Sequence, residues 1–324
     1  MNMSTKVKRR INALIKRTFW YREVVSYDNT GNETQLIKRT FWYREVVFAD
    51  CEKFWKQKNL NLEIVNLGSS VSKYAFDYSN CNNKAANWAM APQTFVGDYA
   101  ILSNYLSFLS DNAIVIITLC PFSCLDDGKQ YLPDKMYSIV DAMSIPNFSM
   151  ERKSLVYDIK ENPYKYFPLV SLFSELGIRI KQTNHILTKE EIDKDAIVWI
   201  DSWKKQFSLY SLNDRFSLVN QDRFKMAVIA LEKLIELCIS HNFKPVIVLP
   251  PTSNSLLEYF DSAFIKQYIE DYVQASTNNK VLFLNYFSDK EFRDITLYKN
   301  AGILNKTGAK RFTNRVLSDL KILK

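Results

Sequence analysis

From residue 60 onward, short apolar runs alternate with stretches of helical periodicity, and that rhythm leaves few folds open. Leu62-Glu63-Ile64-Val65-Asn66-Leu67 reads as a strand ending in Gly68-Ser69-Ser70. Residues 84–90 hold a short second strand and 95–110 a helix. Ala113 to Leu119 is an almost unbroken apolar, β-branched run, the mark of a strand buried on both faces. Residues 222–240 carry Ala227, Leu231, Leu234, Ile235 and Cys238 on one helical side. Pro245 to Leu249 is another buried strand, closed by Pro250-Pro251. Residues 262–275 read as helix, Val281 to Tyr286 as strand, and 306–321 as a final helix. Such alternation implies a parallel sheet with helices on both faces. Residues 125–220 break the rhythm with Pro133, Pro146, Pro163, Pro168, many tyrosines and the pair Trp199/Trp203. They read as an insertion over the carboxyl edge of the sheet, where α/β proteins bind their ligands.

The first 59 residues are of a different kind. Residues 1–60 hold 13 Lys/Arg and 6 Asp/Glu, a net of +7, whereas the rest of the chain nets only +1. Within this basic arm the twelve residues Leu14 to Val25, LIKRTFWYREVV, recur at Leu36 to Val47, 22 positions later. The linker between the copies carries the turn residues Asp28, Asn29, Gly31 and Asn32. Each copy forms a weakly amphipathic helix with aromatic anchors and a basic side, suited to an anionic membrane surface through residues 1–47 or to docking on the main domain. Two copies with unlike surroundings exclude a solenoid. The arm resembles no nucleic-acid module, so no nucleic acid is expected as a partner.

Five cysteines, with no Cys-x-x-Cys pair, argue for a reducing compartment and against a disulfide framework or a zinc site. No metal and no cofactor are expected: carboxylates are scattered, histidines number two, and there is no glycine-rich phosphate loop. The basic start has five mostly apolar residues before Lys16-Arg17, too few for a secretory leader, and the longest apolar run is too short to span a bilayer. The expected location is the cytoplasm, peripheral to the membrane through the arm.

A serine one Gly-Ser step beyond a strand points from the carboxyl end of the sheet into the cleft, which makes Ser70 a candidate nucleophile. Gly-Ser-Ser alone is more often a plain loop. The order of segments adds weight: a strand ending Asn66-Leu67-Gly68-Ser69-Ser70, then Asn87, Ala89 and Gln93, a buried strand, a Leu249-Pro250-Pro251 strand end, and the tail Leu304-Asn305-Lys306-Thr307-Gly308-Ala309-Lys310-Arg311-Phe312-Thr313. Over residues 60–318 this resembles the SGNH (GDSL-like) hydrolase superfamily, in particular its branch from bacterial polysaccharide and cell-wall gene clusters, akin to the D-alanyl transfer protein of teichoic acid. The resemblance implies an α/β, flavodoxin-like three-layer sandwich, with residues 1–59 as a basic helical arm, 60–324 as the SGNH-like domain and 125–220 as its insertion or lid. It implies Ser70 as nucleophile and Asn87 as oxyanion-hole side chain. It also places an Asp-x-x-His just before the tail, and there Asn300 and Ile303 stand where the aspartate and histidine belong.

That difference decides the chemistry. A serine hydroxyl is a poor nucleophile without a base beside it, and losing the histidine of a serine hydrolase costs on the order of a millionfold in kcat. Neither histidine lies in the tail: His185 is in the insertion, from which it could fold over the cleft as a substitute base, and His241 is at a helix end on the amino side of the sheet. Lys299 is a conceivable substitute base, though a solvated lysine is the plainer reading. The expected function is an esterase or O-acyltransferase type of fold, acting on or binding acylated glycan in bacterial surface-polysaccharide metabolism with a degenerate dyad. If active, it is a serine-dependent carbohydrate esterase or O-acyltransferase. The alternative is a membrane-associated, non-catalytic scaffold of a polysaccharide assembly system.

Overall fold

The computed structural model describes residues 26–27, 33–34, 49–55, 61–128, 134–145, 148–161 and 187–321. The chain divides into two compact units, Met1–Gln57 with Pro133–Asn184, and Lys58–Leu132 with His185–Lys324.

The larger unit holds one parallel sheet of five strands: β1 (Leu62–Leu67), β2 (Ala85–Asn87), β3 (Leu109–Thr118), β4 (Lys244–Leu249) and β5 (Leu282–Asn285). Their spatial order is β2-β1-β3-β4-β5, the flavodoxin-like order, and every pairing is parallel. The register sets Ile64 beside Ile114, Ile116 beside Val246 and Val246 beside Leu282. The central strands are buried on both faces, as their unbroken apolar runs require: Val65, Val115, Ile116, Ile117, Ile247 and Val248 have no exposed surface.

Helices cover both faces. On one lie α1 (Ser70–Ala75) and the tail helix α6 (Lys306–Asp319), packed together through Phe76 and Phe312, whose ring centroids are 5.5 Å apart. On the other lie α2 (Phe95–Asn104), α4 (Leu218–Ser240) and α5, a helical run of Ser262–Phe264, Ile265–Glu270 in π geometry and Asp271–Thr277. Tyr272 of α5 donates its hydroxyl to the Ala227 carbonyl of α4 at 3.2 Å. Helix α3 (Lys189–Phe207), from the end of the predicted insertion, starts at a capping box between Thr188 and Glu191. A short hairpin, Tyr298–Asn300 against Ile303–Leu304, leads into α6.

The sequence places these elements well but misses some ends. The helix expected to reach residue 110 stops at Asn104, because β3 begins at Leu109, which pairs with Leu62 ahead of a register shift, and Asn112 turns at φ 59°. The hairpin was not expected, since two short, irregularly paired strands leave no periodic signal.

In the smaller unit, Ala49–Trp55 and the 3₁₀ turn Asp134–Ser138 are joined by a buried ion pair, Lys135 Nζ to Asp50 Oδ2 at 2.8 Å. Between the duplicated segments, Ser26–Tyr27 pairs antiparallel with Glu33–Thr34. The duplicated segments themselves, 14–25 and 36–47, lie outside the described residues, as does His185. Among the described residues no helix is long and apolar enough to cross a membrane.

Candidate functional site

β1 ends in a turn that only glycine can make. Gly68 sits at φ +126°, and a Cβ there would come within 2.9 Å of Ser72 Cβ and 3.0 Å of the Thr118 carbonyl oxygen. Its N–H donates to Oδ1 of the buried Asp98 at 3.1 Å, and its carbonyl accepts from Met90 N at 3.0 Å. Below the turn is a polar knot. The Ser72 hydroxyl lies 2.7 Å from both the Leu67 carbonyl oxygen and Thr118 Oγ1, and accepts from Asn66 Nδ2 at 3.0 Å. Ser69 is extended and accepts Gln93 N–H at its Oγ, 3.2 Å away. Ser70 is therefore the first residue of α1 on a rigid turn, partly exposed, and its hydroxyl makes no hydrogen bond to a described residue.

Ser70 lines a cleft of about 500 Å³. The cleft opens at the carboxyl ends of β1 and β3, where the strand order reverses direction, the place at which such sheets bind ligands. Its size suits a small-molecule or short-oligomer site. One wall is aromatic. Phe122 follows β3, and Trp199, Trp203 and Phe207 come from α3; Phe122 lies 4.7 Å from Trp203 and 5.6 Å from Phe207 between ring centroids. The other surfaces are polar: Gln93, Thr94, Cys120, Ser123, Asp126 and Asp127, with Arg223 from α4. Asp126 accepts N–H from Phe95 at 3.2 Å and from Gly128 at 3.0 Å. Burial pushes its carboxyl up to about 6, against the lowering effect of those two N–H groups, and the charge of Asp127 adds to the rise. Burial likewise raises the Cys120 thiol, which stays protonated at neutral pH and is no nucleophile there.

No protein-family model matches the chain, and no curated protein matches it.

The residues named from sequence separate into two groups. Ser70 is in the cleft; Asn87, Asn300 and Ile303 do not line it. Asn87 spends its side chain on structure, giving both amide hydrogens to the carbonyls of Lys73 and Phe76 at 3.0 Å and taking bonds from Asn66 Nδ2 and Ala89 N. It ties the end of α1 to β2. Asn300 accepts Gly302 N–H at 3.2 Å within the tail hairpin, and Ile303 is buried there, 7% exposed. Trp199 faces both the cleft and a smaller cavity bounded by Val71, Leu256, Phe287 and Gly302, while α1, which begins at Ser70, packs directly on the Ile303–Leu304 strand of the hairpin. A Cβ on Gly302 would meet the Trp199 indole at 3.4 Å. Asp195, one turn before Trp199 on α3, accepts Ala301 N–H at 2.8 Å and fixes the helix to the hairpin.

Lys299 and His241 do not line the cleft either. Lys299 Nζ stacks on the Tyr74 ring, 4.3 Å from its centroid. His241 is exposed at the C-terminal end of α4, its Nδ1 3.0 Å from the Leu237 carbonyl oxygen. Among the described residues lining the cleft there is neither imidazole nor amine. Among the described residues, no group of three His, Cys, Asp or Glu is placed to hold a metal ion. Sequence reading missed Asp126, Asp127 and Arg223 as cleft residues. Their only signal was position, just beyond β3 and near the start of the helix at 218–240, and neither is a motif.

Proposed function

We propose that this chain is an SGNH-like glycan-binding protein of bacterial surface-polysaccharide metabolism, which holds an acylated sugar in the Ser70 cleft without turning it over. The observation that carries this reading is a ligand-sized cleft at the strand-order reversal with Ser70 in it and no imidazole or amine among the described residues of its lining. The Trp199 and Trp203 rings offer flat apolar faces to the C–H side of a pyranose, while Gln93, Gln206, Asp126 and Asp127 can exchange hydrogen bonds with ring hydroxyls. A carboxyl such as Asp126, already holding two backbone N–H groups, is a poor replacement for a histidine that must take and return a proton. Its place would be cytoplasmic, peripheral to the membrane.

Calorimetric titration of the full chain with an O-acetylated oligosaccharide, with acetate release followed in the same sample, tests the reading. Saturable binding without acetate release is the expected result. Acetate release lost in Ser70→Ala would make it an esterase, and absence of binding would remove the glycan reading.

The charge of the arm favours a second reading, a membrane-associated scaffold, because +7 of the chain's +8 net charge falls in residues 1–60. Co-sedimentation with anionic vesicles decides it: binding that vanishes on deletion of 1–47 supports a scaffold, and no binding by the full chain rejects it.

A further inference from the structure

The lining of the cleft is unbalanced in charge. Among the described residues that line it are three carboxylates, Asp98, Asp126 and Asp127, and one cation, Arg223. Arg223 is already engaged: its Nε lies 3.5 Å from Asp127 Oδ2, and its Nη1 donates to Asn220 Oδ1 at 3.1 Å. Asp127 is thereby compensated. Asp98, 1% exposed, holds the Gly68 turn. Asp126 is left with two backbone N–H bonds, partial desolvation, and Asp127 as the one charge that acts on it appreciably. A carboxylate in that state gains from any cation that enters beside it. The aromatic wall works in the same direction, since indole and phenyl faces attract cations.

A second, independent observation concerns an oxygen. Gln93 also lines the cleft, and its side-chain Nε2 is buried without an acceptor. Buried donors are seldom left unpaired, so a ligand oxygen at this position would complete it.

Resting on the glycan reading above, we propose that the occupant is an amino sugar: its ammonium group lies by Asp126 and the aromatic wall of Trp199 and Trp203, and a ring oxygen or hydroxyl accepts from Gln93. Uronic or phosphorylated glycans are disfavoured, because they would bring a further anion beside Asp126.

Four tetrasaccharides of matched linkage serve as probes, titrated into the full chain at pH 6.5: β-1,4-glucosamine, its N-acetylated form, cellotetraose and a uronate tetramer. The amine form is expected to bind at least about tenfold more tightly than the acetylated and hydroxyl forms, with the uronate weakest. The chain's net charge of +8 would by itself produce the reverse order, so bulk attraction cannot mimic the result.

The affinity of the amine form should peak with pH. It falls on the acid side as Asp126 takes a proton near 6 and on the alkaline side as the sugar amine loses one. The other groups facing Asp126 leave this window clear. Asp127 is paired with Arg223, and burial keeps the Cys120 thiol and the Tyr272 hydroxyl protonated. Asp126→Asn should abolish the preference for the amine while leaving the N-acetylated probe within about twofold. If that variant does not fold, Trp199→Leu and the wild-type pH profile carry the test. Equal binding of amine and acetylated probes, or no peak with pH, overturns the ammonium assignment and leaves the glycan reading standing. Binding of none of the four overturns the amino-sugar assignment, and failure of the O-acetylated oligosaccharide as well overturns the glycan reading.

Discussion

The front turn and the tail segment look alike as motifs but are held for different reasons. At the front, Gly68 and the Ser72 knot position a side chain, Ser70, that makes no hydrogen bond of its own to a described residue. At the back, nearly every letter of Leu-Asn-x-x-Gly-Ala-x-x-Phe-Thr is consumed by packing. Asn305 caps α6 by accepting N–H from Thr307 and Gly308, each at 3.0 Å, and gives its own amide to the Thr296 carbonyl at 2.6 Å. A Cβ on Gly308 would stand 2.3 Å from the Leu297 carbonyl oxygen. Phe312 is fully buried among Phe76, Tyr286 and Phe292. Thr313 accepts Asp77 N–H at 2.8 Å and donates to Ala309 O. The letters of this tail build the fold, with or without an acid–base pair before them. Resemblance in the tail therefore reports architecture, and the chemistry must be argued from positions 300 and 303.

Substitutions can sharpen that contrast. Phe312→Ala should be the most damaging, costing about 3–5 kcal/mol of unfolding free energy in urea, because it empties a site closed on three sides by rings. Gly308→Val should cost about 1–3 kcal/mol through overpacking against a backbone oxygen that has no rotamer to move, read as a lower midpoint at unchanged m-value. Asn305→Ala should cost about 1–2 kcal/mol as a lost helix cap, while Asn300→Asp, on a partly exposed side chain with one local bond, should stay within about 0.5 kcal/mol by thermal unfolding. If Asn300→Asp proved as costly as Asn305→Ala, the division between structural and chemical letters would be wrong. The smallest effect is expected from restoring the missing pair. Asn300→Asp with Ile303→His should leave acetyl-ester hydrolysis at background, because position 303 is buried and neither position lines the cleft. Turnover in that variant would show that only the two side chains were lacking.

How much was legible in the sequence follows from the same physics. The sheet was, because Val115 to Ile117 and Val246 to Leu249 are buried on both faces and their apolar runs can mean little else. Ser70 was legible through its place after a strand and a glycine. The cleft walls were not. Trp199 and Trp203 stood out as a pair, but what they face depends on how α3 is fixed by Asp195 to a hairpin 106 residues away. Asp126 carries no motif; its raised carboxyl comes from burial and from Asp127, which exist only in the folded chain. Asn87 fits the pattern of an oxyanion side chain in sequence, whereas in the fold its amide hydrogens are spent on Lys73 and Phe76. Residue type and spacing carry no trace of that expenditure.

The most direct measurement is intact-mass analysis after exposure to a fluorophosphonate, comparing wild type with Ser70→Ala beside an active control esterase. With neither imidazole nor amine among the described residues lining the cleft, wild type should carry no adduct under conditions that label the control fully. A single adduct on wild type that disappears in Ser70→Ala would show an activated serine and contradict the claim that the cleft has kept its architecture without its chemistry.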